Sequence, residues 1–83
     1  MLIFHLEPNT EKTYRFVGSI TATLHNFFIK SQNFDDNEEY LALNVRSTSV
    51  GDIIFIDDIF YILTGISIEE VNFLFNVENL TII

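Results

Sequence analysis

The sequence predicts an α+β fold in which a small antiparallel β-sheet packs against one main α-helix. Two observations support this prediction. Two strongly β-prone segments, 53–56 and 59–63, are separated by only two aspartates, and an apolar stripe with helical spacing occupies about 20–31. The chain has 83 residues, of which 48% are hydrophobic, so it is expected to form a single domain, 1–83, around one core.

The chain begins with a predicted strand. Both alternating faces of Met1–Leu6 are apolar, which is typical of a strand at the centre of a sheet or covered on both sides. His5 is interpreted as a packed histidine at the edge of the core. Pro8 ends the strand because it cannot donate to a β-ladder. Residues 14–17 fit either a short strand or the approach to the helix.

The main helix is predicted at about 20–31. Ser19 is expected to cap its first turn, and Lys30 in the last turn would interact favourably with the helix dipole. Thr21 and Thr23 are poor helix formers, so this helix should depend on its packing against the sheet. The apolar stripe consists of Ile20, Leu24, Phe27 and Phe28.

A polar connection, 31–39, follows the helix, and alternating apolar residues predict a strand over 40–45. The connection holds four acids between positions 35 and 39, which raises the question of a calcium loop. A calcium loop of the EF-hand type needs a glycine at its sharp turn and ligands at alternating positions. The acids here are in adjacent pairs and the segment has no glycine, so we predict no metal site.

A polar corner precedes the two β-prone segments. Ser49 stands three residues before Asp52, the spacing at which a hydroxyl and a carboxylate cap each other's backbone. Gly51 allows a positive φ angle. Arg46 is the one basic residue after position 31 and is expected to pair with Asp52 or a nearby carboxylate. We interpret these four residues as a structural turn.

The segments 53–56 and 59–63 predict a β-hairpin joined by Asp57–Asp58. Asn-Gly or Asp-Gly would be the stronger signal for a two-residue turn, so a looser corner is the alternative. Beyond it, Ser67 and Glu70 have capping-box spacing and predict a second short helix at about 68–75. The alternation of apolar residues over 71–77 fits a strand equally well. The last four residues are apolar enough to close the sheet as a final strand.

The charge is strongly acidic. Four basic residues oppose twelve acidic ones, a net charge of −8, and residues 31–83 alone carry ten acids against one arginine, a net of −9. Such a surface repels phosphates, so direct nucleic-acid binding is not expected, whereas a basic protein partner is. The acids expected to contact a partner are Asp35, Asp36, Glu38, Glu39, Asp57, Asp58, Glu69 and Glu70.

Composition also bears on compartment and cofactors. The chain contains no cysteine, which excludes disulfides and thiolate metal sites and suits the cytoplasm. No apolar run approaches the roughly 20 residues needed to cross a bilayer. The apolar start lacks the basic region and cleavage site of a signal peptide. We therefore expect a soluble protein without cofactors and without membrane contact.

The segment Arg46–Ile54, with Phe60–Ile62 and Gly65–Ile66, resembles the YodL-like small domains. Those domains occur in bacterial mobile elements, plasmids and phages, either alone or within larger proteins. The resemblance extends loosely to the first strand and to Phe16–Ser19. It implies an accessory role in a mobile element or phage and brings no catalytic residues with it.

The sequence lacks a phosphate-binding loop, a nucleophile elbow and paired histidines, so we expect no enzymatic activity. The leading hypothesis is a small acidic protein-interaction module that binds another protein or a second copy of itself. One alternative is an inhibitor that mimics nucleic acid and blocks a host defence nuclease or DNA-binding protein. Another is a regulatory module that titrates a toxin-like or replication partner.

Overall fold

The computed structural model describes residues 1–65, 67–71 and 80–83. In these residues six strands form one sheet in the order β5-β4-β3-β1-β2-β6. Neighbouring strands are antiparallel except for the parallel pair β2–β6, so the sheet is mixed. The strands are β1 (Leu2–Leu6), β2 (Thr13–Ser19), β3 (Ile53–Ile56), β4 (Ile59–Leu63), β5 (Ile68–Glu70) and β6 (Thr81–Ile82).

The predicted fold class, α+β with an antiparallel sheet and one main helix at about 20–31, is wrong. The described residues contain two helices of four residues each, α1 (Phe27–Lys30) and α2 (Glu38–Leu41). Ser19, the expected helix cap, is the last residue of β2, and the Ile20 amide donates to the Met1 carbonyl oxygen.

Local hydrogen bonds explain why the helix does not start near residue 20. The Thr23 amide donates to Asn26 Oδ1 at 2.8 Å, and the His25 amide donates to Thr23 Oγ1 at 3.2 Å. These side chains bind the amides locally, and the first helical residue is therefore Phe27. The apolar stripe correctly identified residues that pack on the sheet, such as Ile20 and Phe27, but not their backbone conformation.

The strand predictions for the sheet centre are confirmed. β1 lies between β3 and β2, in the middle of the sheet. β3 and β4 form the predicted hairpin, with Ile56 opposite Ile59. Both corner residues, Asp57 and Asp58, have positive φ angles of 53° and 64°, as a two-residue type I′ turn requires. Aspartate tolerates this conformation better than most residues.

Two further predictions are wrong in part. In the helix predicted at about 68–75, Ile68–Glu70 instead form β5, which pairs with β4 with Ile68 opposite Leu63, and Val71 is helical. Residues 72–75 of that prediction, and residues 72–77 of the alternative strand, lie outside the described residues. The strand predicted over 40–45 is also wrong, because α2 runs through Leu41 and Asn44 has a positive φ of 55°. The apolar alternation does not correspond to alternating burial, because Tyr40 is buried whereas Leu41 is 40% exposed.

The sheet is covered on both faces. On one face Phe4, Tyr14 and Ile53 form a cluster with Val71, and Leu80 packs against it. On the other face the segment 20–48 covers the sheet. In this second core Tyr40 and Ile20 pack on Ile3, and Phe27 packs with Ile54, Ile56 and Leu63. The segment 20–48 therefore positions the groove and the polar cluster described below.

Gly18 allows a close approach between β2 and this covering segment. Its φ is 147°, and a Cβ atom added there would lie 2.5 Å from Leu43 Cδ2. We expect Gly18→Ala to lower the free energy of unfolding by about 1–3 kcal/mol, through backbone strain and displacement of Leu43. The measurement is urea denaturation.

Gly65→Ala is the matched control, because a Cβ atom at Gly65 meets nothing within 4 Å. Equal stability of the two variants would show that the contact between β2 and Leu43 is looser than described.

Candidate functional site

A cluster of buried polar side chains joins β1, α2 and the corner before β3. We call it the Asp52 cluster, and its members are His5, Tyr40, Arg46, Thr48 and Asp52. Apart from Arg46, which is partly exposed, all of them are buried. In the described part of the chain, every fully buried side-chain nitrogen and oxygen has a hydrogen-bond partner. The cluster therefore satisfies its own polar groups.

The Asp52 carboxylate is the centre of this cluster. Arg46 donates to both of its oxygens, from Nη1 to Oδ2 at 2.6 Å and from Nη2 to Oδ1 at 2.8 Å. Two backbone amides also donate to it, Leu6 to Oδ1 and Ser49 to Oδ2, each at 2.8 Å. The ion pair expected between Arg46 and Asp52 is thus present, and the carboxylate also binds the end of β1.

The corner that carries Asp52 is built from short-range bonds. The Asp52 amide donates to the Ser49 carbonyl oxygen at 3.0 Å, the reverse of the bond from the Ser49 amide to the carboxylate. Gly51 has a φ of 94°, which favours glycine. Its carbonyl oxygen accepts a bond from the Tyr14 hydroxyl at 2.8 Å, so β2 also contacts the corner.

His5, Tyr40 and Thr48 form the second half of the cluster. His5 Nε2 lies 3.2 Å from both the Tyr40 hydroxyl and Thr48 Oγ1. The Tyr40 hydroxyl donates to the Arg46 carbonyl oxygen. Because a tyrosine hydroxyl has a single hydrogen, its oxygen must accept in its other hydrogen bonds.

Burial and charge shift the pKa values of this cluster. Burial alone would raise the pKa of Asp52, but the bonds from Arg46, Leu6 and Ser49 together hold it below its ordinary value. Burial lowers the pKa of His5, and the attraction of Asp52 does not cancel this effect. Burial raises the pKa of Tyr40. The cluster therefore favours an ionised Asp52 beside a neutral His5 and a neutral Tyr40.

The cluster brings an acid, a histidine and a hydroxyl together, but not in the geometry of a catalytic triad. In a triad, one imidazole nitrogen faces the nucleophile and the other faces the carboxylate. Here the same atom, His5 Nε2, faces Thr48 Oγ1 at 3.2 Å and Asp52 Oδ2 at 3.9 Å. Thr48 is 1% exposed and cannot meet a substrate. This geometry is that of a structural cluster.

An apolar groove opens between β4, β5 and the start of α1, and it has a volume of about 480 Å³. We call it the α1–β5 groove. Three of its apolar side chains are substantially exposed, Val50 by 63%, Phe28 by 48% and Leu24 by 37%. Its described lining residues are all uncharged, namely Leu24, Phe27, Phe28, Val50, Leu63, Thr64, Gly65, Ser67 and Ile68.

The predicted partner-binding acids occupy separate places. Asp35, Asp36, Glu38 and Glu39 are exposed around the start of α2. Of these, Glu39 is engaged, because it accepts bonds from the Thr21 amide and hydroxyl.

The remaining acids lie on the hairpin tip and on β5. Asp57 and Asp58 are exposed and line a second groove of about 560 Å³ together with Ala22 and Thr23. Glu69 and Glu70 are neighbours in β5, so their side chains point to opposite faces of the sheet. The eight acids therefore do not share one face.

Sequence reasoning missed the groove and half of the Asp52 cluster. The cluster depends on contacts between positions 5, 40 and 48, which no local spacing shows. For the groove one signal was present: Val50 is an apolar residue within an otherwise polar corner. An apolar residue in such a turn indicates either burial or a contact surface.

No family model matches the chain, and neither the curated proteins nor the solved structures contain a match. Among the described residues, no helix is long and apolar enough to span a membrane. The same residues contain no group of three or more histidine, aspartate or glutamate side chains arranged to hold a metal ion. Function must therefore be argued from the cluster, the groove and the charge.

The pKa shift of His5 predicts a pH-dependent stability. A histidine whose pKa is lowered on folding contributes stability above its unfolded value of about 6.5, and that contribution is lost as the pH falls below it. We expect the free energy of unfolding to drop between pH 7 and 5.5, by at most about 1.4 kcal/mol per pH unit for one proton.

Urea denaturation across this range measures the effect, and His5→Gln should flatten it. His25→Gln, at an exposed histidine, controls for the loss of an imidazole elsewhere. A stability that rises on acidification, or a His5→Gln variant with the wild-type slope, would contradict the buried neutral state of His5.

Removal of the Asp52 carboxylate should be far more costly than removal of a surface acid. Asp52→Ala leaves the amides of Leu6 and Ser49 without their acceptor and breaks the ion pair with Arg46. We expect a loss of about 3–5 kcal/mol, a large part of the stability of a small domain. Thermal denaturation followed by circular dichroism measures this loss.

Asp36→Ala, at an exposed position, is the matched control and should change stability by less than about 0.5 kcal/mol. Similar melting temperatures for Asp52→Ala and Asp36→Ala would contradict a structural role for the Asp52 cluster.

Proposed function

We propose that this chain is a small acidic, non-enzymatic protein-interaction module that binds an apolar and basic segment of another protein in the α1–β5 groove. The observation that carries the proposal is the groove itself. It is open, its described lining is uncharged, and it exposes three large apolar side chains. A contiguous apolar surface of this kind in a small protein is characteristic of a contact site.

The position of the groove supports rigid presentation of its apolar residues. Phe27 and Leu63 belong to the buried core, so the floor of the groove is continuous with it. The Gly51 amide next to Val50 donates to the Leu63 carbonyl oxygen at 2.9 Å, which fixes the corner against β4. A preformed site of this kind binds with a small ordering cost.

The charge of the chain supports a basic partner. The net charge is −8, and among the described ion pairs Arg15 binds Glu7 and Arg46 binds Asp52. Glu69 and Glu70 lie on β5, the strand that forms one side of the groove. Acids beside an apolar groove favour partners with lysine or arginine near the apolar contact and raise the association rate.

The alternative, a mimic of nucleic acid, receives less support. Such a mimic needs its carboxylates spaced like phosphates along one surface. Glu69 and Glu70 point to opposite faces of the sheet, and Glu39 is engaged with Thr21. The groove would also have no role in a purely electrostatic inhibitor.

The biological context remains part of the proposal. The resemblance of Arg46–Ile54 to YodL-like domains is the reason to expect an accessory protein of a mobile element or phage. The cysteine-free composition is the reason to expect the cytoplasm. A toxin-like or replication protein with a basic, partly apolar segment would suit both the groove and this context.

Selection from a displayed library of random short peptides tests the function. We expect enriched peptides to combine apolar residues with lysine or arginine. Val50→Asp should weaken their binding by roughly tenfold or more, because it puts a charge into the apolar contact. Isothermal titration calorimetry with the enriched peptides measures the change.

Ile29→Asp is the matched control, since Ile29 is 62% exposed, almost the same as Val50, but does not line the groove. The substitution adds the same charge and should leave affinity within about twofold. Failure to enrich any peptide, or equal weakening by the two substitutions, would contradict the proposed function.

A further inference from the structure

The edge of the sheet beside the α1–β5 groove exposes backbone hydrogen-bonding groups. Among the strands that the structure describes, β5 is the last on its side of the sheet. The Leu63 amide donates to the Asp52 carbonyl oxygen, and the Leu63 carbonyl oxygen accepts from the Gly51 amide, so both backbone groups of Leu63 point toward the β3 side of the sheet. The Thr64 amide points the other way and donates to the Ser67 carbonyl oxygen. By the alternation of an antiparallel ladder, Glu69 bonds inward to β4, and the backbone groups of Ile68 and Glu70 point outward.

This open edge and the groove belong to the same surface. Ile68 lies opposite Leu63 in the β4–β5 ladder, and both side chains line the groove. The outward backbone groups of Ile68 are therefore directly beside its apolar side chain. A strand added along β5 would place every second side chain on the groove face, near Phe28 and Leu24.

We propose that the segment bound by this protein is extended and pairs with β5 as an additional antiparallel strand. The inference depends on the proposed function, because it specifies how the groove is occupied. The main-chain bonds would come from Ile68 and Glu70, and the side-chain contacts from the groove. Binding by strand addition uses both features at once, whereas a bound helix would contact only the groove.

The acids on β5 determine which chain can be added. Two copies of β5 paired with each other would bring Glu69 and Glu70 of both chains together, and like charges directly opposite each other destabilise a sheet. A second copy is therefore a poor occupant. A partner strand with basic residues would instead be attracted to Glu69 and Glu70.

The alternation of β5 specifies the partner sequence further. Ile68 is on the groove face and Glu69 is on the opposite face. The partner strand should therefore carry apolar residues on the groove face and lysine or arginine on the other. Glu70 is available to a further basic residue at the end of the paired stretch.

A synthetic peptide of alternating valine and lysine is the probe, and fluorescence anisotropy measures its affinity. In an antiparallel pair the valines lie opposite Ile68, and their amides point toward β5. Backbone N-methylation of the valines should therefore weaken binding by at least about tenfold, the effect of about two lost hydrogen bonds. N-methylation of the lysines, whose amides point away, should change affinity by less than about threefold.

Substitutions on the protein provide the reciprocal test. Glu70→Pro removes an outward amide and leaves the inward bonds of β5 intact, as proline requires on an edge strand. We expect this substitution to weaken binding of the valine–lysine peptide by roughly tenfold. Glu70→Gln is its control, because it removes the charge but keeps the amide, and should cost about twofold to threefold.

The two proposals can fail separately. If both N-methylated peptides bind as well as the parent while Val50→Asp still weakens them, the groove is a binding site but strand addition is wrong. Strand addition is also wrong if the parent peptide does not bind, or if N-methylation of the valines and N-methylation of the lysines weaken binding equally. In those cases the library selection with Val50→Asp and Ile29→Asp decides the proposed function independently.

Discussion

The structure depends on one buried carboxylate. β1 pairs with β3 only from Leu2 to Phe4, so the Leu6 amide, which lies beyond this ladder, has no β3 residue to which it can donate. Asp52 Oδ1 takes that place at 2.8 Å and extends the contact between the two strands beyond their ladder. Arg46 neutralises the carboxylate from its more exposed side. A charge this deeply buried is tolerated because four nitrogen donors surround it, two from the Arg46 guanidinium and two from backbone amides.

The same carboxylate connects stability to the proposed contact surface. It fixes the Ser49 amide, and Gly51 is held by β4 and by the Tyr14 hydroxyl. Val50 lies between these two anchored residues and is 63% exposed in the groove. This polar corner therefore holds an apolar side chain at the surface. Arg46 and Asp52 therefore support the proposed contact surface as well as the scaffold, although neither lines the groove.

The sequence allowed prediction where local chemistry is decisive. The β3–β4 hairpin followed from two β-prone segments around Asp57–Asp58. Half of the Ser49–Asp52 corner followed from side-chain spacing: the carboxylate accepts from the Ser49 amide as predicted, but the Asp52 amide donates to the Ser49 carbonyl oxygen instead of the hydroxyl. The helix at about 20–31 failed because Asn26 and Thr23 bind local amides, a competition that apolar periodicity does not register. The Asp52 cluster was only half predicted, because His5 and Tyr40 reach it through long-range packing. The groove was missed since exposure of Leu24, Phe28 and Val50 is a property of the assembled surface.

Amide hydrogen exchange of Leu6 and Ser49, followed by NMR, tests the central claim most directly. If the Asp52 carboxylate joins β1 to the corner, both amides open only with the whole domain. Their exchange free energies should then equal those of central amides such as Ile54, and should decrease in parallel with them as urea is added. Exchange of the Leu6 and Ser49 amides at the rate of exposed connections, while the central strands remain protected, would contradict this account.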